Sequence, residues 1–584
     1  MDARAPITPP QHPDAWPPGA PRTLELPRRS LWSNLVETAA RQPDKAALVF
    51  LGTRTTFSQL QARAERLAGW LRARGVGRGD RVLLFAQNSP QFVIAFFAIL
   101  RADAVVVPVN PMNKAGELGH YIVDAGATAA IAASDIAGQL IEANDALEPG
   151  ARLRAIVVAR YLDAVDAADR AGIPPAWLDW MQAPVQAAID ASRSAATEVA
   201  DLIDAGLHAP IEAAHEAGFD DLAALPYTSG TTGLPKGCMH THGTLMHNVV
   251  ASGHWHQIDP DAVGLAVVPM FHITGLVVVL NTAILLGNTL VVMPRWDRRL
   301  AADAIARWRV TSWINIPTMV IDLIAMPGFE QCDLSSLKNI GGGGAAMPAA
   351  IAERLERQFG LKYAEGYGLT ETAAPSHSNP RHRPKRACLG IPVIGTSALV
   401  VDPLTLEPMP IGEQGEIVVS GPQVFEGYWK QPQASADVFF EKDGRRWFRT
   451  GDLGRVDDEG YFFITDRLKR MINSSGFKVW PAEIEAMLYR HPAIQEVCVI
   501  GARDPYRGET VKAVVVLRPE HRGRLDEAAI VEWSRGEMAA YKHPRIVEFV
   551  DALPRSGSGK IMWRELQARE DATRPAPAAG EARP

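Results

Sequence analysis

From about Leu31 the chain alternates between segments patterned as strands and segments patterned as helices. KAALVFL followed by TRTTF predicts a hairpin. In SQLQARAERLAGWLRARG, Leu60, Ala64, Leu67, Ala68 and Leu71 recur with the helical period on one face, and Gly75 ends the run. A strand (RVLLFA), a helix (PQFVIAFFAILRA, opening at Pro90) and a strand (AVVVPV) come next. Continuous apolar strands between amphipathic helices predict a parallel sheet covered on both faces, and the pattern resumes beyond residue 260. The fold class expected is α/β.

Two stretches depart from this pattern. From Tyr161 to Gly218 the chain is rich in Ala, Asp and Glu, carries Trp177 and Trp180, and reads as a helical insertion packed on the sheet domain. A plain insertion is favoured over a lid or an interaction element. From Tyr461 a strand (FFITD), a charged stretch (DRLKR), a helix (PAEIEAMLYRH), two strands (EVCVIGA, VKAVVVL), a second helix (DEAAIVEWSRGEMA) and a last strand (RIVEFV) predict a small α+β domain. The organisation expected is a Pro-rich disordered arm over 1–30, a large domain over 31–466, a small C-terminal domain over 467–566, and a disordered Ala/Pro/Glu tail over 567–584. The longest apolar stretch, Leu276 to Met293, approaches the length of a short membrane span, but Asn281, Gly287 and Asn288 interrupt it. A buried helix followed by a core strand is the better reading, and peripheral membrane contact stays open.

Composition acts mainly by exclusion. A chain of 584 residues is too long for one core and implies two to four domains. With 47% apolar and 22% charged residues it has an ordinary soluble composition, and a net charge of −6 carries no footprint for nucleic acid. Cys238, Cys332, Cys388 and Cys498 are scattered without a CxxC pair, which argues against disulfides and structural zinc and suits a reducing cytoplasm. The opening residues have no apolar core, so a signal peptide is not expected. Monomer and homodimer both stay open.

Five motifs carry chemistry. YTSGTTGLPKG, Tyr227 to Gly237, offers glycines, exposed N–H groups and the hydroxyls of Thr228, Ser229, Thr231 and Thr232 to phosphate oxygens, with Lys236 supplying charge. It is not a Walker A loop: five residues after Gly230 stands Pro235. GYGLTET, Gly366 to Thr372, follows NIGGGGAAMP and sets out an aromatic face at Tyr367, a hydroxyl at Thr370 and a hard oxygen ligand at Glu371. WFRTGD ends on Asp452, whose carboxylate can accept two neighbouring ribose hydroxyls. The last two are DRLKRMINSSGFKVWPAEIE, from Asp466, and PRSGSGKI, which presents Lys560 on a Gly/Ser loop. Taken singly, each has a plain reading: a flexible turn, a packing tyrosine, a solvated linker, and for His272 a core histidine.

In this order and spacing, over roughly Leu31 to Leu566, the motifs resemble the acyl-adenylate-forming superfamily of acyl-CoA synthetases, luciferase-like enzymes and peptide-synthetase adenylation domains. The texture around Asp466 to Glu485 is most similar to bacterial fatty-acid–CoA ligases. The resemblance implies a large α/β domain and a small mobile α+β domain that use ATP, Mg²⁺ and coenzyme A. It implies that Thr228, Ser229, Gly230, Thr231, Thr232, Gly233 and Lys236 hold the β- and γ-phosphates. Tyr367 would stack on adenine, with Gly343, Gly344, Ala345, Glu365, Gly366, Gly368 and Ile464 as further nucleotide contacts. Thr370 would meet the α-phosphate, Glu371 with Thr231 the metal, and Asp452 with Arg467 the ribose. His272 would lie beside the carboxylate, and Lys560 would bridge carboxylate and α-phosphate. Lys469 would be the hinge, and Ser475, Gly476, Phe477 and Lys478 would line the pantetheine channel after rotation.

The acid is read from the stretches the resemblance assigns to its pocket. Amino-acid-activating relatives carry Asp after the Phe of the histidine motif; here the pair is Phe271-His272. Ile273, Thr274, Gly275, Trp313, Thr318, Gly341 and Ala373 offer no charge for a second polar group, and Gly341 to Gly344 removes side-chain bulk, as an alkyl chain would need. A medium- or long-chain fatty acid is preferred, with a cinnamate-like or benzoate-like acid as the alternative. No carrier domain is expected after Lys560, so coenzyme A is preferred over a carrier protein as acceptor. A non-catalytic binding homologue is disfavoured because Glu371, Asp452 and Lys560 are all present.

Overall fold

A computed structural model gives the arrangement of residues 13–191, 197–228, 235–344, 347–467, 470, 472–474, 477–479, 481–504, 508–538, 542–555 and 561–573. The first hairpin forms as patterned, from Ala46–Phe50 and Thr53–Thr56. The helix Phe57–Ala73 then starts on a capping box in which Thr56 accepts from Gln59 N–H and the Gln59 side chain reaches back. Leu60, Ala64, Leu67, Ala68 and Leu71 are fully buried along it.

The large domain is built on two parallel-rich sheets. One runs in the order Ile391–Pro392, Ala374–Ser378, Ala364–Leu369, Asn339–Gly343, Ser312–Asn315, Val263–Ala266, Thr289–Val292, Ala46–Phe50, Thr53–Thr56. Its six central strands are parallel. The second has Arg81–Phe85, Val105–Pro108, Ala127–Ala133, Ala155–Ala159, Glu198–Asp201 and Leu222–Ala224 in parallel, with His240–Thr241 antiparallel at its edge. Every residue of the helix Pro90–Arg101 is buried, and its Phe92, Phe96 and Phe97 share one core with strands of both sheets. A five-stranded antiparallel sheet, including Arg445–Val456 and Phe462–Arg467, follows. The small domain pairs Ile494–Asp504 with Gly508–Leu517 and adds Ile546–Phe549 in parallel.

Three expectations need correction. The stretch 161–218 is not wholly helical: Glu198–Asp201 extends the second sheet along Ala155–Ala159, and 206–221 is irregular. Its Glu-Val-Ala-Asp segment is too short to show a strand period, so the pairing is set by the neighbouring edge. The proline-rich arm is ordered from Pro13, because Trp16 is buried edge-on against Trp255 at 5.1 Å. The tail keeps helical order through Thr573: Trp563–Thr573 buries Leu566, and Glu570 receives the ammonium of Lys512 at 2.5 Å. The buried helix and core strand expected over Leu276 to Met293 are both present: a π-helix, Gly275–Asn281, continues as Thr282–Leu286 and is followed by the strand Thr289–Val292. No helix among the described residues is long and apolar enough to cross a membrane.

Candidate active site

The chemistry-bearing motifs of the large domain gather at the carboxyl ends of the first sheet's strands, where open parallel sheets place their ligands. Tyr367 rides on Ala364–Leu369, and its hydroxyl donates to Asp452 Oδ2 at 2.6 Å. Asp452 is almost fully buried and lies opposite Arg467 in the strand register. Ile464, on the same strand as Arg467, is exposed. Burial pushes the Glu365 carboxyl up to about 7, and it accepts from the Ala387 N–H.

Thr370 and Glu371 form a single 3-10 turn. His240 Nε2–H donates to the Thr370 carbonyl at 2.7 Å, and burial lowers that imidazole to about 4, so it stays a neutral donor. Glu371 Oε1 accepts the Tyr428 hydroxyl at 2.8 Å, while the Lys236 ammonium lies 4.9 Å from the centre of the same tyrosine ring. Tyr428 thus connects Lys236 to Glu371. Both ends of that loop are held: Thr228 pairs with Lys236, Tyr227 donates to Asp124 at 2.6 Å, and His120 lies 3.1 Å from the Pro235 carbonyl. Glu371 fits a Mg²⁺ site in its chemistry, since its carboxylate is a hard oxygen donor of the kind such an ion takes.

The backbone after the turn is strained. Ala373 and Ala374 both take positive φ, 49° and 78°. One buried amide holds them: Asn248 Nδ2 donates to the carbonyls of Thr372 (3.0 Å), Ala373 (2.8 Å) and Pro375 (3.0 Å). Asn248→Ala is expected to lower stability by about 1–3 kcal/mol, the cost of leaving buried acceptors unpaired. It should also weaken adenylation by at least about tenfold, since Glu371 loses its support. Thermal melts beside pyrophosphate-release rates check this, and an unchanged rate would refute it.

Phe271 and His272 are half-buried, and Asn88 holds their loop by accepting from Met270 N–H at 2.7 Å and donating to the Val268 carbonyl at 3.0 Å. Gly275 lets the π-helix start close to the Pro269 carbonyl, only 2.1 Å from where a Cβ would be. A cavity of about 40 Å³ lies between this helix and the sheet, lined by Leu265, Val278, Val279, Ala283, Ile314 and Ile340 among others, with Gly341 on its wall.

Two pocket expectations change. Trp313 turns away from the cavity to stack on Trp296 at 5.7 Å; Ser312 and Ile314 line it instead, since strand side chains alternate faces. The glycine run does not simply leave room for an alkyl chain. A Cβ at Gly341, Gly342 or Gly343 would meet a neighbouring strand's carbonyl oxygen at 2.5, 1.8 or 2.4 Å, and Gly344 has φ +86°. A bulkier residue at Gly344 would therefore strain the backbone before it could report on chain length.

Thr318 is exposed at the start of the helix Pro317–Ile324, and Ile273 and Ala373 are buried. Gly366 and Gly368 flank Tyr367 on its strand. Ser229, Gly230, Thr231, Thr232, Gly233, Ala345, Lys469, Ser475, Gly476 and Lys560 lie outside the described residues, as do the side chains of Arg467, Phe477 and Lys478. Sequence reasoning missed Tyr428, His240, Asn248 and Asn88. Three histidines within MHTHGTLMHN were the available signal for the second and third.

A family model described as "AMP-binding enzyme" matches residues 35–429, and its C-terminal-domain counterpart matches 483–560. The chain belongs to the AMP-binding enzyme family. A long-chain-fatty-acid–CoA ligase of Bacillus subtilis (strain 168) is 34% identical over 570 residues, covering 95% of this chain and 97% of that protein. A feruloyl-CoA synthase of an Amycolatopsis species is 38% identical over 538 residues, covering 91% and 98%. Among solved structures, ATP-bound MatB from Rhodopseudomonas palustris superposes with a TM-score of 0.76 at 29% identity, covering 93% and 99%. This AMP-binding enzyme is accordingly an ATP-dependent, adenylate-forming acid–CoA ligase.

Proposed function

We propose that this AMP-binding enzyme activates a medium- or long-chain fatty acid as its acyl-adenylate, releases pyrophosphate, and passes the acyl group to coenzyme A. The observation that carries the choice of acid is the apolar cavity under the first sheet. It is walled by Val278 and Val279 of the π-helix, which begins three residues after His272, so the carboxylate position and the tail position share one continuous segment. On the scale where a water needs about 10–15 Å³, its roughly 40 Å³ is real space, and Arg381 is the one charged group that lines it among the described residues. An uncharged tail is what such walls accept without a desolvation cost.

The chemistry follows from charge. A carboxylate is a poor acyl donor; attack of its oxygen on the α-phosphorus forms a mixed anhydride and breaks the bond to pyrophosphate. Lys236, held over the Tyr428 ring, would meet the phosphates, and Asp452, bonded to Tyr367, would meet the nucleoside. Mg²⁺, held by Glu371, would offset charge where the anions meet. The thiol sulfur of coenzyme A then attacks the acyl carbon and AMP leaves. Lys560 serves the first half-reaction and the stretch Ser475 to Lys478 the second, exchanged by rotation near Lys469.

The second reading, an aryl acid, is favoured by the relative described as a feruloyl-CoA synthase. Pyrophosphate release with ATP, Mg²⁺ and coenzyme A across acetate, octanoate, palmitate, benzoate, coumarate and ferulate separates the two. Octanoate or palmitate is expected to give the highest kcat/KM, by about tenfold or more over any aryl acid. A peak on ferulate or coumarate would overturn the cavity assignment.

A further inference from the structure

At the amino-terminal ends of the strands Asn339–Gly343 and Ala364–Leu369, away from Glu371, the surface holds a hollow of about 330 Å³. Four basic side chains line it: Lys338, Lys362, Arg381 and His382. No carboxylate lines it, and none of the four takes part in an ion pair among the described residues. In a chain of net charge −6 this is a local concentration of uncompensated positive charge. Arg381 is the sharpest instance. Its guanidinium is half-buried, held by a hydrogen bond to the Lys338 carbonyl, and burial lowers its pKa with no opposing carboxylate nearby. Withdrawing a cation from water without a counter-ion is unfavourable, and the arrangement makes sense when an anion supplies the missing charge.

The hollow is also built rather than incidental. Its other wall is the ordered N-terminal segment: Trp16 packs on Trp255, Gln257 donates to the Pro18 carbonyl, and His382 Nε2 lies 2.9 Å from the Asp14 carbonyl. Pro18 and Trp255 face into the space. Its volume falls in the range of small-ligand sites.

We propose that this hollow is an anion site for a phosphate-bearing group, separate from the ATP site. A planar guanidinium fork with two ammonium groups and an imidazole matches the charge and the several acceptor oxygens of a phosphate better than a single carboxylate would. Arg381 also lines the end of the apolar cavity, so a phosphate seated here has apolar surface behind its partner. Two sources share the chemistry, a soluble phosphate ester and a phospholipid headgroup.

The test titrates full-length protein with inorganic phosphate and with glycerol 3-phosphate, read by tryptophan fluorescence from Trp255. In parallel, the protein is co-sedimented with phosphatidylcholine vesicles with and without phosphatidylglycerol. The comparison variant is Lys338→Gln with Lys362→Gln, both exposed and outside the catalytic machinery, so pyrophosphate release should be unchanged. Saturable binding to one source, weakened about tenfold in the double variant and further by salt, is expected. Fluorescence alone identifies a soluble ligand, and sedimentation only with phosphatidylglycerol identifies a headgroup. Absence of binding in both arms at millimolar ligand, or equal binding by the double variant, would overturn the proposal.

Discussion

Lys560→Ala is expected to cut acyl-adenylate formation by about a hundredfold or more, the scale of losing a preorganised charge at a reacting anion. Supplied acyl-adenylate and coenzyme A should still form thioester at a rate within about threefold of the unmodified enzyme. The asymmetry has a physical cause. In the first half-reaction a carboxylate approaches a phosphate, two anions that repel, and Lys560 between them would lower that barrier. In the second, a thiol attacks a neutral anhydride carbonyl, and that cation has no comparable task. The ends of its loop are pinned, because Arg555 bridges Ile561 and the Met562 N–H donates to the Pro554 carbonyl at 2.8 Å. Measuring pyrophosphate release and thioester formation separately decides the matter; equal losses in both would refute the division of labour.

The second large effect is loss of stability in mild acid. Among the described residues five imidazoles are held neutral by burial: His240, His247 and His256 are lowered to about 4, and His242 and His377 to about 3. An unfolded chain takes up protons on these groups below about pH 6.5, while the folded chain does so only near 3 to 4. Across that window the unfolded state binds more protons, so stability falls as pH falls. At pH 5 each histidine forgoes about 2 kcal/mol. Together they forgo about 10 kcal/mol. Glu365, raised to about 7, and Asp135, raised to about 6, bind protons in the folded chain first and offset about 4 kcal/mol of it. That leaves about 6 kcal/mol, comparable to the whole stability of a typical domain. Thermal midpoints measured from pH 7.5 to 4.5 should begin to fall between pH 7 and 6 and drop more steeply below pH 6; a flat profile down to pH 5 would contradict it. His242 adds a structural reason, since its Nδ1 accepts the Leu31 N–H and cannot do so once protonated.

What was legible in the chain follows from range. The helix Phe57–Ala73 and the first hairpin are written in local periodicity and capping, so they could be read directly. The Tyr367, Thr370, Glu371 and Asp452 motifs were legible as chemistry, but not the hydrogen bond from Tyr367 to Asp452, which joins positions 85 residues apart. Tyr428 drew no reading at all, because nothing local shows that its hydroxyl meets Glu371. The glycines from Gly341 to Gly343 were misread for a different reason. An absent side chain can mean space for a ligand or space for another strand, and only the neighbouring carbonyls distinguish them.

The strand Ala46–Phe50 has a further consequence, for biosynthesis. Its parallel partner is Thr289–Val292, about 240 residues later in the chain. At the usual pace of translation the second strand follows the first by roughly ten to fifty seconds. Throughout that interval the newly made N-terminal hairpin has an unsatisfied, strongly apolar edge, so the growing chain must be shielded until its sheet can close.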